Sequence, residues 1–148
     1  MSPNAGQAWE ALIRILHFAK PWMNEQIASF DVTPQSAFAM HRLDESGELT
    51  MSDLAAEMAC DASNATGIID RLAARGLVER RPAAHDRRAK VVRLTPAGLR
   101  LHKKIRERMF GAAPPPIASL SAADQRALRD ILLRALANAE SIAVEKSA

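Results

Sequence analysis

The 148-residue chain is long enough for one compact hydrophobic core and little more. Its composition, 48% hydrophobic with only 4% aromatic residues, favours helix over sheet. The sequence has no run of about 18 apolar residues and no N-terminal signal pattern, so neither a membrane span nor secretion is expected. The single cysteine, Cys60, cannot form an internal disulfide, which fits a cytoplasmic protein.

The N-terminal stretch is predicted to be helical from residue 7 to about residue 29, with residues 1–5 loose. Trp9 and Ile13 widen its apolar stripe beyond what a single neighbour requires. Such a wide stripe suggests burial against both the body of the protein and a partner chain. Pro21 is expected to kink this helix or to divide it in two, because proline removes an amide donor and clashes one turn back.

Three further helices are predicted from the N-cap residues that precede them. They are expected at 34–45, 50–60 and 61–75, with Thr33, Thr50 and Asp61 as their respective N-caps. The last two are short and are joined by a tight turn, which is typical of a helix-turn-helix.

The helix predicted at 61–75 has two different faces. An apolar stripe recurs at helical spacing on one side, and short polar residues occupy the other. The polar face consists of Ser63, Asn64, Thr66, Gly67, Asp70 and Arg71. Asn can pair with adenine, and Ser or Thr can contact a base or a phosphate, so this face suits a DNA major groove. Many surface helices carry the same residue types, so a solvated face is the alternative.

A β-hairpin is predicted after Gly76, which is expected to end the preceding helix in the left-handed conformation. Its strands are expected at 77–81 and 90–94. The tip of the connecting loop contains Asp86, Arg87 and Arg88. Guanidinium groups on such a tip are attracted to a narrow minor groove. Asp86 is expected to hold one of the two arginines through a bidentate pair, and a merely solvated tip is the alternative.

Charge is segregated along the chain. Between Arg71 and Arg108 there are thirteen lysines and arginines and three acids, a net charge of +10 against −7 for the remainder. A basic segment on an acidic body is typical of a nucleic-acid-binding protein, whereas an ordinary solvated surface mixes the two signs. A nucleic acid is therefore the predicted partner, and the helix-turn-helix with its wing indicates double-stranded DNA.

These motifs together resemble the MarR family of bacterial transcription regulators. The family's wing signature is Asp, any residue, Arg, five residues and then Leu-Thr, and it is matched by Asp86, Arg88, Leu94 and Thr95. The resemblance extends over about residues 31–101 and includes Leu54-Ala55, Leu72, Gly76-Leu77-Val78 and Pro96-Ala97-Gly98. Ala62 and Gly67 are smaller than the residues of many family members, which implies sparse base contacts.

The expected fold is mainly α-helical with a small β-hairpin wing. A winged helix-turn-helix lobe at 33–111 would be flanked by dimerisation helices at 1–32 and 112–148. The resemblance implies an obligate homodimer, in which the helix at 61–75 enters the major groove and the wing at 77–95 enters the adjacent minor groove. The predicted DNA-binding residues are Ser63, Asn64, Thr66, Gly67, Arg71, Asp86, Arg87 and Arg88.

The C-terminal third is predicted to be helical on either side of a proline-rich break. One helix is expected from Pro96 to about Phe110, and Ser121 with Asp124 forms a capping box for another. That last helix carries a wide apolar stripe. The resemblance implies an interface with the partner's terminal helices, and packing on its own chain is the alternative.

Catalysis is not expected, and neither is a metal or another cofactor. The histidines at positions 17, 41, 85 and 102 are scattered, without a close pair at metal-ligand spacing. The sequence also lacks a glycine-rich phosphate loop and a nucleophile elbow. Cys60, beside Asp61 in the turn of the helix-turn-helix, is interpreted as a packing residue rather than a redox sensor, because adjacent negative charge disfavours a thiolate.

The sequence therefore predicts a homodimeric, sequence-specific transcription regulator, with repression as the expected mode. Similar proteins release DNA when a small molecule lodges between the dimerisation helices and the DNA-binding lobe, so a small aromatic or phenolic effector is expected. The candidate pocket residues are His17, Phe18, Phe38 and His41, with packing in the core as their alternative role. A winged-helix protein-interaction module and a non-specific architectural DNA binder remain as alternative functions.

Overall fold

The computed structural model describes residues 3–147, without the side chains of residue 140 and residues 143–147. The described helices are α1 (Pro3–Ala28), α2 (Pro34–Ser46), α3 (Met51–Glu57), α4 (Ala62–Ala74), α5 (Pro96–Phe110), α6 (Pro115–Ala118) and α7 (Ala122–Ser147). The described strands are β1 (Leu49–Thr50), β2 (Val78–Pro82) and β3 (Lys90–Leu94). This mainly helical architecture with a hairpin wing confirms the predicted fold class.

The described chain divides into two compact units. One, here called the central lobe, comprises residues 20–112. The other, here called the terminal segments, comprises the described residues up to 19 and from 113 onward. The division falls inside α1, between residues 19 and 20, whereas the sequence predicted a boundary between residues 32 and 33.

Five of the described helices begin where the sequence supplies a capping side chain. In each case a hydroxyl or carboxylate oxygen accepts the backbone N–H three residues ahead, at 2.7–3.1 Å, and satisfies a donor that the helix itself cannot. The capping residues are Thr33, Thr50, Asp61, Thr95 and Ser121. All of these starts were predicted.

Helix ends and short elements differ from the predictions. α1 begins at Pro3, so residues 3–5 are helical rather than loose, while residues 1 and 2 lie outside the described part. α1 continues through Pro21, and the expected division into two helices does not occur, because one missing hydrogen bond is a small loss in a 26-residue helix. α3 ends early, since Ala59 has a positive φ of 49°. The two-residue β1 and the single-turn α6 were not predicted.

The core of the central lobe is formed by apolar side chains from α2, α3, α4 and the sheet. Met40, Leu43, Leu54, Ile68 and Val92 are at most 1% exposed. Burial of each such side chain contributes about 1.5–3 kcal/mol. α4 is thus held firmly by one face, and its other face is free for contacts outside the lobe.

The three strands form an antiparallel sheet in the order β1-β3-β2. Val78 pairs with Leu94 and Pro82 with Lys90, so the β2–β3 hairpin extends to a loop at 83–89. At the base of the hairpin, Thr95 Oγ1 donates to the Gly76 carbonyl at 2.6 Å, and Gly76 has the left-handed φ of +68° that the sequence predicted. A Cβ at Gly98 would collide with the Leu77 carbonyl oxygen, so α5 starts in close contact with the residue that precedes β2.

The terminal segments expose large apolar side chains in the single chain. Trp9 is 63% exposed, and Leu133 and Leu136 are 57% and 59% exposed. No helix in residues 3–147 combines the length and apolar character that a membrane crossing requires.

Candidate nucleic-acid interface

α4 brings the predicted DNA-contacting residues together on one accessible face. Its apolar stripe, from Ala65 to Leu72, is at most 2% exposed. The opposite face is accessible and contains Ser63, Asn64, Thr66, Asp70 and Arg71, with Gly67 half-buried among them. The amphipathic spacing therefore oriented this helix as the sequence predicted.

Local contacts on the polar face determine which groups are free to bind. Thr66 Oγ1 donates to the Ala62 carbonyl at 2.8 Å, so its remaining capacity is that of an acceptor. A Cβ at Gly67 would lie 3.6 Å from Arg71 Nη1, which places the Arg71 guanidinium beside this glycine. The face thus offers amide, hydroxyl and guanidinium groups in a small area, the set that contacts base edges and phosphates.

An ion pair links the polar face of α4 to the wing. Arg80 Nη2, on β2, donates to Asp70 Oδ1, on α4, at 2.6 Å. The sequence placed Asp70 on the polar face but did not predict this partner, because the two residues lie on different elements. Only the packing of β2 beside α4 brings them together.

The base of the wing contains a second cluster of paired charges. Glu79 Oε1 accepts from Arg93 Nε at 2.7 Å, directly across the β2–β3 ladder, and lies 2.9 Å from Arg81 Nε. The hydrogen bond from Arg93 is the main cause of a lowered pKa for Glu79, so the ionised form of this carboxyl is favoured. The arginines at the base of the wing therefore have carboxylate partners.

The wing tip differs from its base. Asp86 Oδ1 accepts the backbone N–H of Arg88 at 2.9 Å and so fixes the turn of the loop. The predicted bidentate pair between Asp86 and an arginine was wrong: the carboxylate binds the backbone, because a residue two positions away in a tight turn presents its amide first. Within the described residues, Arg87 and Arg88 form no ion pair, and both are exposed.

The central lobe also contains a mostly apolar cavity of about 110 Å³. Phe38 and His41, two of the predicted pocket residues, line it. The other lining residues are Met23, Ile27, Pro34, Ala37, His102, Ile105, Arg106, Met109 and Phe110. His17 and Phe18 do not line it; their rings contact each other edge-on, with centroids 6.2 Å apart.

Two histidines that are distant in sequence are neighbours at this cavity. The rings of His41 and His102 lie 5.6 Å apart, and His102 Nδ1 is 3.3 Å from Asp44 Oδ2. Burial lowers the pKa of His102, which is only 3% exposed, and this outweighs the opposing influence of Asp44. The sequence treated the histidines as scattered, since nothing local links α2 to α5. Across the described residues, no three potential metal ligands form a group.

Residues 32–90 match the model of the MarR family. The matched stretch runs from just before α2 to the first residue of β3, and so includes the helix-turn-helix and the first wing strand. The uncharacterized HTH-type transcriptional regulator YfiV of Bacillus subtilis is 28% identical over 143 residues, covering 95% of this chain and 89% of that protein. Wild-type MarR from E. coli, in its apo form, aligns with a TM-score of 0.74 at 23% identity, covering 84% of this chain and 96% of that one. A mutant MarR from E. coli complexed with operator DNA aligns with a TM-score of 0.66 at 24% identity, covering 85% of this chain and 93% of that one.

The MarR-family wing signature has a structural basis in this chain. Asp86 fixes the loop tip, and Leu94 is 7% exposed in the core. Thr95 caps α5 and closes the hairpin base through the Gly76 carbonyl. The side chain of Arg88, the fourth signature residue, forms no ion pair with any described residue. Three members of the signature thus build the wing, and one is free to bind.

Proposed function

We propose that this chain is a non-enzymatic transcription regulator that binds DNA sequence-specifically as a homodimer and represses transcription by occupying its site. The observation that carries the proposal is the combination, in one lobe, of an accessible polar helix face with a wing tip whose arginines form no ion pair with any described residue. The MarR structure in complex with operator DNA supports DNA as the partner of this fold. Such a regulator works beside the chromosome, which in a bacterium lies in the cytoplasm.

In the proposed complex, the polar face of α4 enters the major groove. Asn64 is placed to pair with adenine, and Ser63 and Thr66 to contact a base or phosphate. The wing tip carries Arg87 and Arg88 to the adjacent minor groove, where the electrostatic potential is most negative. The sharp local turn at Asp86 supports this role, because it limits the entropy lost when the tip docks.

The exposed apolar side chains of the terminal segments support a homodimer. Trp9, Leu133 and Leu136 are each more than half exposed, and large apolar side chains at helical spacing on one chain indicate a protein interface. A second copy is the proposed occupant. The two copies of α4 would then meet half-sites about 34–36 Å apart, one turn of the duplex.

The cavity beside Phe38 and His41 is the proposed effector site. Its apolar and aromatic lining, with His41, His102 and Arg106 as the polar groups, suits a small aromatic or phenolic molecule. Binding there would favour one spacing of the two α4 helices over another and so release DNA. His17 and Phe18, outside this cavity, are not part of the revised proposal.

The test is fluorescence anisotropy with the protein's own upstream intergenic DNA and a scrambled duplex of equal length and composition, over a salt series. We expect tight binding to the native duplex, weaker binding to the scrambled one, and a steep loss of affinity with salt. Sedimentation of the complex then gives its stoichiometry, which we expect to be two chains per site.

Two other outcomes would contradict the proposal. Equal binding to both duplexes would indicate a non-specific architectural DNA binder. The absence of binding at low salt would assign the basic segment to an acidic protein partner and favour a protein-interaction module.

A further inference from the structure

The polar face of α4 contains an acid at a position where DNA phosphates would repel it. Asp70 is one turn beyond Gly67 and Thr66 on the same face, and its side chain is 59% exposed. Its carboxylate is 2.6 Å from the guanidinium of Arg80 on the first wing strand. Arg80 is itself 36% exposed, so both partners of the pair are accessible from outside the lobe.

Three other arginines on the same helix face and on the wing tip have no ion-pair partner among the described residues. Arg71 belongs to the same helix face, and the wing tip carries Arg87 and Arg88. Arg80 is therefore a potential phosphate ligand that is neutralised within the protein, in a lobe whose other exposed arginines are partly free.

We propose that Asp70 is a specificity-determining residue, which holds Arg80 away from the phosphate backbone of DNA that lacks the preferred sequence. The inference rests on the proposed function. Binding to arbitrary sequence comes almost entirely from contacts between cations and phosphates. A carboxylate that pairs with one of these cations therefore lowers the affinity for DNA of arbitrary sequence. Binding then depends more on the contacts between α4 and the bases.

The ion pair between Asp70 and Arg80 is weak enough for a DNA phosphate to displace Asp70. Ion pairs between exposed side chains contribute little to stability, because water screens them. A close, well-aligned phosphate in the preferred complex can therefore replace Asp70 as the partner of Arg80. In a loosely docked, non-preferred complex the intramolecular carboxylate, already 2.6 Å away, keeps its partner.

The experiment compares the full-length protein with Asp70→Asn by anisotropy on the preferred and the scrambled duplex across a salt series. The substitution preserves shape and removes the charge. We expect the affinity for the scrambled duplex to rise severalfold, and its salt slope to steepen by about 0.9, the value for one additional neutralised phosphate. The affinity for the preferred duplex should change less, so the ratio of the two affinities falls.

Two variants serve as controls. Asp130→Asn removes the same charge from an acid of similar exposure, which pairs with Arg129 on α7, and should leave both affinities unchanged. Asp70→Asn combined with Arg80→Gln should lose the gain on the scrambled duplex, because the cation that Asp70→Asn releases is absent. Thermal unfolding of each variant establishes that the fold is retained.

The outcomes separate this inference from the proposed function. If the unaltered protein prefers one duplex but Asp70→Asn leaves the scrambled affinity and slope unchanged, the inference is wrong and the proposed function stands. If Asp70→Asn weakens only the preferred duplex, Asp70 contacts a base, as an acid does with cytosine, and the inference is again wrong. If the unaltered protein binds neither duplex, both fail.

Discussion

The central lobe and the terminal segments use apolar residues in opposite ways. In the lobe, Leu43, Leu54 and Ile68 are at most 1% exposed, so the large side chains are matched by neighbours in the same unit. In the terminal segments, Trp9 and Leu136 are 63% and 59% exposed although both lie on long helices. The lobe therefore has a complete core of its own, and the terminal segments need a further surface to bury theirs.

Charge follows the same division. The terminal segments contain five basic and five acidic residues, so the whole net charge of +3 lies in residues 20–112. The unit with the complete core thus also carries the field that attracts a polyanion. Under the proposed function, DNA contact therefore belongs to the lobe and association to the terminal helices.

The largest effect should follow from a cavity in the lobe. Ile68→Ala is expected to lower the free energy of unfolding by about 2–5 kcal/mol, because the side chain is fully buried and the space cannot collapse completely. Urea unfolding measures the loss, which should be the same at every protein concentration. Leu99→Ala, in the same lobe but 46% exposed, should cost about 0.5 kcal/mol or less. Equal losses would mean that the lobe core is not the main source of stability.

A charge on the α7 stripe should affect association instead. Leu136→Asp is expected to raise the dissociation constant of the homodimer by about tenfold or more, since each buried Leu contributes about 1.5–3 kcal/mol. Sedimentation at micromolar concentration measures the shift. Asn138→Asp adds the same charge to the exposed polar side of α7 and should leave the dimer intact. A dimer that survives Leu136→Asp would place the interface elsewhere.

Removal of a free cation from the lobe should weaken DNA binding without affecting folding. Arg88→Ala is expected to lower the affinity severalfold and to reduce the salt slope by about 0.9, because one phosphate loses its cation. The readout is the anisotropy salt series with the preferred duplex. Arg129→Ala, in the terminal segments and paired with Asp130, is the matched control and should have no effect. An unchanged slope for Arg88→Ala would show that the wing tip does not contact DNA.

The smallest effect concerns the buried imidazole of the lobe. Burial lowers the pKa of His102 below the ordinary 6.5, so the unfolded chain binds a proton more readily than the folded one. Its contribution to stability is therefore complete above about pH 6.5 and is lost as the pH falls through the lower, folded pKa. The difference between the urea unfolding midpoints at pH 7.5 and pH 5.5 should be smaller in His102→Gln than in the unaltered protein. His85→Gln, on the exposed wing loop, should retain the full pH dependence, and a smaller difference there would assign the effect to another group.

Local signals predicted most of the lobe, because a cap, a glycine turn and an apolar period are each encoded within a few residues. Thr33, Asp61 and Gly76 marked ends that the structure confirms. The polar face of α4 followed from the same periodicity. The wing signature located the tip correctly, although not the partner of its aspartate.

Contacts between distant elements could not be predicted in the same way. Asp70 meets Arg80, and His41 meets His102, only after the elements pack, and a single sequence holds no period or spacing that links them. The two-residue β1 is stabilised by pairing with β3 rather than by its own propensity. The cavity beside Phe38 and His41 likewise joins α1, α2 and α5, so the sequence found these two lining residues but could not identify the others.

The contacts at the base of the β2–β3 hairpin have a consequence for how the sequences of related proteins can diverge. Thr95 and the close approach of Gly98 to Leu77 fasten the two strand ends together, and neither contact involves residues 83–89. Insertions, deletions and substitutions in that loop therefore leave the fold almost unaffected. Under the proposed function, a gene duplicate could therefore acquire a new minor-groove preference through changes confined to these seven consecutive residues.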